Sequence, residues 1–239
     1  DMRIAVMQPY FFPYIGYFQL IKSADIFILY DDVTFIKKGW IHRNKLCFNN
    51  TECWFTIPVK DASQYREIKD TKVCDAEIAK WERKFFASIA CFYGKQRHVS
   101  EGRSLVEQAL SLPYDSIAEL AENSLRLCCR YLGITTPIMR SSQLDVPATL
   151  SREKRLIEIC RRYHADRYIN ASGGQELYSQ NMFSPYNIQL EFIHPLLKPY
   201  RVRGRNFMPG LSVLDAIMCC GSAFVAESLL DGYAIVEAV

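Results

Sequence analysis

No apolar run in these 239 residues reaches the roughly 20 that a membrane-crossing helix needs, so membrane insertion is not expected. Charge of one sign is also scarce: the formal net charge is +3, and lysine and arginine are scattered. No segment reads as a basic helix face, and nucleic acid is not an expected partner. The four histidines, His42, His98, His164 and His194, lie far apart, and no CxxC occurs. Metal-ligand spacing is therefore missing, and no metal is expected. The nine cysteines are odd in number, and no charged-then-apolar leader opens the chain. A cytoplasmic protein with reduced thiols is the expectation. Internal repeats and low-complexity linkers are lacking too, which favours one α/β domain over residues 2–239.

What is present is organised around Arg3 to Asp32. Ile4 to Met7 is a short branched apolar run, read as a buried strand. A loop with Pro9 and Pro13 follows, and Pro13 suits the first position of a helix carrying Ile15, Phe18 and Ile21. Asp25 to Leu29 reads as a second strand ending at Asp31 and Asp32. A crossover this short implies a parallel pair in a right-handed βαβ unit. Ligands of such units bind beyond the carboxyl ends of the strands, so Gln8 to Tyr14 and the two aspartates should share one crevice.

Further along, 33–60 reads as a β-hairpin excursion, with Asn49–Asn50 as its turn. Its Lys37, Lys38, Trp40, Arg43 and Asn44 either overhang the crevice or decorate a solvated hairpin. Residues 75–132 read as a helical insertion, with Ser116 and Glu119 as a capping box and Gly133 closing its last helix. Strands are expected at 137–142, 167–171 and 188–193, the last one closing the sheet, and a helix from Ser151 to Tyr163. Ser172, Gly173 and Gly174 follow a strand directly, and a helix start there would offer amides to an anion. Asp215, three residues past Ser212, reads equally as a capping acid. The fold class is thus a Rossmann-like parallel sheet with flanking helices, a hairpin excursion and a helical insertion.

Several side chains are candidates for chemistry. Asp31, Asp32 and His194 could remove a proton from an acceptor. Lys37, Lys38 and Arg43 could hold phosphate, and Tyr10, Tyr14 and Trp40 a base or sugar ring. Gln8, Asn44, Ser172, Gly173, Gly174, Glu176 and Tyr178 complete the candidate binding set.

The segments MQPYFFPYIGYFQLI (7–21), DDVTF (31–35), WIHRNKL (40–46), FTIPVK (55–60), LGITTPI (132–138), INASGGQELY (169–178) and FMPGLSVLD (207–215) together resemble the WbqC-like protein family. The resemblance spans nearly the whole chain. It implies a setting in bacterial surface-polysaccharide (O-antigen, lipopolysaccharide) synthesis and a nucleotide-linked or lipid-linked sugar, often an amino sugar, as substrate. A more distant similarity is to nucleotidyltransferases with a Rossmann-like sheet, whose HxGH signature would fall at PYIGYF (13–18). Tyr14 and Tyr17 stand where the histidines would, which speaks against ordinary adenylyl or cytidylyl transfer.

The function these implications suggest is a transferase that places an acyl or aminoacyl group on the amine of a nucleotide-linked sugar. The rivals are ATP-dependent activation of an acid and a sugar-nucleotide-binding protein without turnover. ATP or a sugar nucleotide is the ligand candidate; an aminoacyl-tRNA donor and a homodimer stay open.

Overall fold

The computed structural model describes residues 1–239. In chain order the strands are β1 (Arg3–Met7), β2 (Ile26–Leu29), β3 (Arg43–Phe48), β4 (Thr51–Thr56), β5 (Ile138–Arg140), β6 (Arg167–Ala171), β7 (Gln189–Pro195) and β8 (Tyr233–Glu237). The helices are α1 (Ile15–Ser23), α2 (Asp75–Tyr93), α3 (Val99–Ser111), α4 (Ile117–Leu132), α5 (Arg152–Arg162), α6 (Gln180–Phe183) and α7 (Val213–Phe224). No helix is long and apolar enough to cross a membrane.

Six strands form one sheet in the order β5-β2-β1-β6-β7-β8, and β3 pairs only with β4. Every pairing in the large sheet is parallel except β7 with β8. The fold class expected from sequence is therefore present, a mostly parallel α/β sheet with flanking helices and a separate hairpin. Side chains alternate across the sheet with the period of two that a strand imposes. Ile4, Val6, Ile28, Tyr168, Leu190 and Phe192 join α5 in one apolar cluster. Ala5, Phe27, Leu29, Ile169 and Ile193 join α1, α3, α4 and α7 in the larger one on the opposite face.

Four local expectations need correction. Pro13 does not open α1. Its carbonyl accepts from Val213 N–H at 2.8 Å and Tyr14 bridges to Ser212, which keeps both extended, so the helix starts at Ile15. Residues 188–193 do not close the sheet. β8 adds an antiparallel edge beyond β7, and its apolar pattern is short and half exposed, too weak to read from sequence. No long helix begins at the glycine pair either: a 3₁₀ turn covers Ser172–Glu176, and α6 has only four residues. Finally, the strand expected at 137–142 is cut to three residues, because Ser141–Gln143 turn into a 3₁₀ helix whose serines bind an aspartate, as described below.

The capping serine of α4 and the glycine that closes it are realised. Ser116 Oγ accepts from Glu119 N–H at 3.2 Å, and Gly133 ends α4 at φ +74°. Asn49 and Asn50 both take positive φ, as a two-residue hairpin turn requires.

His42 lies in the lead-in to β3, 7% exposed, its ring 4.9 Å from that of Phe35. Its Nδ1 has no partner. Burial, aided by the neighbouring Arg43, lowers its pKa to about 4. The unfolded chain takes a proton near the ordinary histidine value of about 6.5 that the folded chain refuses until about 4. Stability should therefore be full above that upper value and fall as pH drops through the window, by roughly 2–3 kcal/mol. Denaturant unfolding of wild type and His42→Phe at several pH values tests this. A wild-type slope that persists in the variant would refute it.

Candidate functional site

β1 is the strand from which the chain turns both ways: β2 lies on one side and β6 on the other. The crevice at such a switch point is where open α/β sheets receive ligands. Three segments therefore leave neighbouring strands at the same carboxyl edge: Gln8–Tyr14, Tyr30–Asp32 and Ser172–Tyr178.

The first segment is held under strain. Phe12 is fully buried at φ +43°, a region that bulky side chains rarely occupy. Its N–H donates to Ser124 Oγ at 3.0 Å, and Ser212 Oγ donates to its carbonyl at 2.6 Å. Phe11 N–H donates to the Ile41 carbonyl at 3.0 Å. The Tyr14 ring folds onto the first turn of α1. A Cβ on Gly16 would stand 2.4 Å from that ring, so a side chain there would displace the tyrosine. Tyr17 is buried and its hydroxyl donates to the Gln8 carbonyl at 2.6 Å. Burial raises the Tyr14 pKa and pushes that of Tyr10 up to about 12. These phenols stay protonated, so they serve as hydrogen-bond donors and ring surfaces, not bases.

Asp31 is 5% exposed and saturated. Ser142 N–H donates to Oδ1 at 3.0 Å and Ser142 Oγ to Oδ2 at 2.7 Å. Ser141 Oγ lies 3.1 Å from Asp31 Oδ1 and 2.5 Å from Asp32 Oδ1, one proton between two carboxylates. Asp31 thus ties the end of β2 to the turn after β5. Asp32 has its other oxygen on Arg155 Nη2 at 3.1 Å. The Arg155 guanidinium stands 5.2 Å over the Tyr30 ring. Burial raises the Tyr30 pKa. Tyr178, after the glycine turn, packs edge-on against Phe183 in the same apolar cluster as Tyr30 and α5.

In the glycine turn, a Cβ on Gly174 would meet Asn170 Nδ2 at 2.5 Å, whereas Gly173 has open space around it. Gly174 serves close packing and Gly173 is the accessible one. Ser172 and Gln8 are half-buried and Glu176 is exposed. His194 is half-buried at the end of β7, one residue past Ile193, which pairs with Ala171.

The hairpin adjoins the first of these segments through the bond from Phe11 to Ile41. Ser212 N–H donates to the Lys45 carbonyl at 2.9 Å and Cys47 N–H to the Tyr93 hydroxyl at 2.9 Å, so the hairpin packs on the side of α7 and α2. Arg43 spends Nε and Nη2 on the carbonyls of Gly39 and Lys38, at 2.8 and 2.6 Å, and lies 3.9 Å over Trp54. Trp40 packs on Trp54 at 5.0 Å, while Lys37 and Lys38 are exposed. Asn44 is 1% exposed and its Oδ1 accepts from Lys45 N–H, which leaves no surface for a ligand. This is the arrangement of a solvated hairpin whose exposed Trp40 and Trp54 pack on each other, and no hydrogen bond or ion pair joins Arg43 or Asn44 to Tyr30 or Arg155.

The residues that sequence reasoning missed are Tyr30, Arg152 and Arg155. One signal was available: Arg155 is one helical turn before Ile159, a basic residue in an otherwise apolar stripe. Also missed was the partnership of Asp215. It is 0% exposed in the first turn of α7. Tyr93 donates to its Oδ1 at 2.7 Å, and Tyr200 and Arg205 also donate to it.

The WbqC-like protein family matches residues 8–227, from the strained loop into the helical segment after α7. The chain belongs to the WbqC-like protein family. This family is associated with polysaccharide biosynthesis. An uncharacterized protein of Mycobacterium tuberculosis, Rv1507c, is 25% identical over 223 residues, 92% of this chain and 94% of the relative. No solved structure matches. In this WbqC-like chain the matched range takes in the carboxyl-edge loops and α5, and so the whole crevice.

Proposed function

We propose that this WbqC-like protein is a transferase that modifies a nucleotide-linked amino sugar for bacterial surface polysaccharide, by acyl or aminoacyl transfer to the sugar amine. The observation that carries the reading is the meeting of Gln8–Tyr14, Tyr30–Asp32 and Ser172–Tyr178 at one switch point. Such a crevice offers neutral phenols for a sugar or base, an open glycine backbone at Gly173, and cations beside it.

His194 is the proposed base, because Asp31 is occupied by serine donors and Asp32 by Arg155. An imidazole can take the proton released when the sugar nitrogen attacks the acyl carbonyl. The new C–N bond forms, the bond from acyl carbon to the donor's leaving group breaks, and that proton passes to the leaving group.

The test is a thermal-shift panel of nucleotides and sugar nucleotides. A ligand at a hundred times its dissociation constant should stabilise by about 2.7 kcal/mol. His194→Gln should keep that shift and lose transfer from an activated acyl donor. No shift with any sugar nucleotide would overturn the proposal. Release of pyrophosphate from ATP with a carboxylic acid would replace it by acid activation.

A further inference from the structure

Arg155 is poorly satisfied for so buried a cation. It is 8% exposed, and its ion pair with Asp32 engages Nη2 alone. Its Nε is buried with no hydrogen-bond partner. A guanidinium carries five N–H groups in a fixed fork, and buried donors left over in a native fold call for an acceptor that arrives later. The Tyr30 ring covers one side of this fork.

The surroundings point to the kind of acceptor. Arg155 sits in the second turn of α5, an eleven-residue helix that starts at the carboxyl edge of the sheet. Ser151 precedes the helix but caps no backbone N–H; its hydroxyl donates to Glu153 Oε1 at 3.1 Å. The helix dipole adds positive potential at this end, where the Glu153 carboxylate is held by its own backbone N–H and by Ser151. Arg152, exposed at the first position, adds a full charge. Tyr30, whose burial keeps its hydroxyl protonated, lies against the Arg155 guanidinium.

We infer that Arg152 and Arg155 on the first two turns of α5, with the Tyr30 ring against Arg155, form the subsite for the phosphate groups of the ligand. The inference rests on the crevice reading above and deepens it. The phosphate grip is assigned to α5, not to Lys37, Lys38 or Arg43 of the hairpin, whose arginine fork is already spent on backbone carbonyls. A diphosphate ester suits two arginines better than a single carboxylate, because arginine matches phosphate oxygens in pairs.

The experiment uses inorganic pyrophosphate as probe, followed by calorimetry at low and high salt. Wild type should bind it, more weakly as salt rises. Arg152→Ala, at an exposed position that leaves the fold in place, should weaken binding at least about tenfold. Arg155→Gln should abolish it, with circular dichroism reporting the fold, and Lys38→Ala should bind as wild type does. Absence of wild-type binding at millimolar pyrophosphate would overturn the inference. So would loss in Lys38→Ala with none in Arg152→Ala. The two readings fail separately. Pyrophosphate binding lost in Arg152→Ala while no sugar nucleotide is bound or modified keeps this subsite and removes the transferase. Sugar-nucleotide turnover unchanged in Arg152→Ala removes this subsite alone.

Discussion

Asp215→Ala should cost roughly 3–5 kcal/mol, the range for breaking a buried ion pair by deleting one partner. For a chain of this size that corresponds to a drop of roughly ten degrees or more in melting temperature. The carboxylate is 0% exposed and is the common acceptor for Tyr93, Tyr200 and Arg205. Its removal leaves Arg205, whose side chain is 9% exposed, with a charge and no counterion. It also leaves one buried phenol, Tyr93, and one half-buried, Tyr200, whose protons have lost their acceptor. The Tyr93 hydroxyl accepts from Cys47 N–H, so the loss reaches the seat of the hairpin. Asp215→Asn keeps the shape but not the charge and should cost nearly as much. Thermal unfolding by circular dichroism decides. A fall of less than a few degrees for both variants would show that the network contributes little. In the double variant Asp215→Leu, Arg205→Met the loss should be smaller than for Asp215→Ala, since no buried charge is stranded.

Asp31→Ala should cost roughly 2–4 kcal/mol, because it leaves up to three polar donors of Ser141 and Ser142 without their acceptor at a position 5% exposed. Its effect should appear in stability and not selectively in turnover. The contrast with a catalytic role is sharp. An Asp31→Asn protein that melts like wild type yet loses its response to sugar nucleotides would return Asp31 to the chemistry and refute the anchor role argued here. Reduced melting temperature with ligand binding retained after correction for the folded fraction would support it.

Legibility in the sequence followed locality. The β1–α1–β2 unit, the Asn49–Asn50 turn, the Ser116 cap and the Gly133 stop were readable because each depends on residues within a few positions. Where a distant segment intervened, local signals misled. Pro13 suits a helix start, yet pairing with Ser212–Val213, two hundred residues on, keeps it extended. The glycine pair suits a helix start too, yet Asn170 packs beneath Gly174 and a 3₁₀ turn follows.

The amino-acid order alone determined the α/β class, the carboxyl-edge position of the candidate loops and the family resemblance, because hydrophobic period and turn chemistry are properties of neighbouring residues. Only the tertiary structure decided which charges are spent and which remain open. Asp31 goes to serines 110 and 111 positions away, Asp215 to tyrosines and an arginine from three segments, and Arg43 to its own turn, while Arg155 keeps an unpaired Nε. The physical reason is that a side chain's partner is fixed by packing across the core. Sequence pattern does not encode that long-range pairing in any single window.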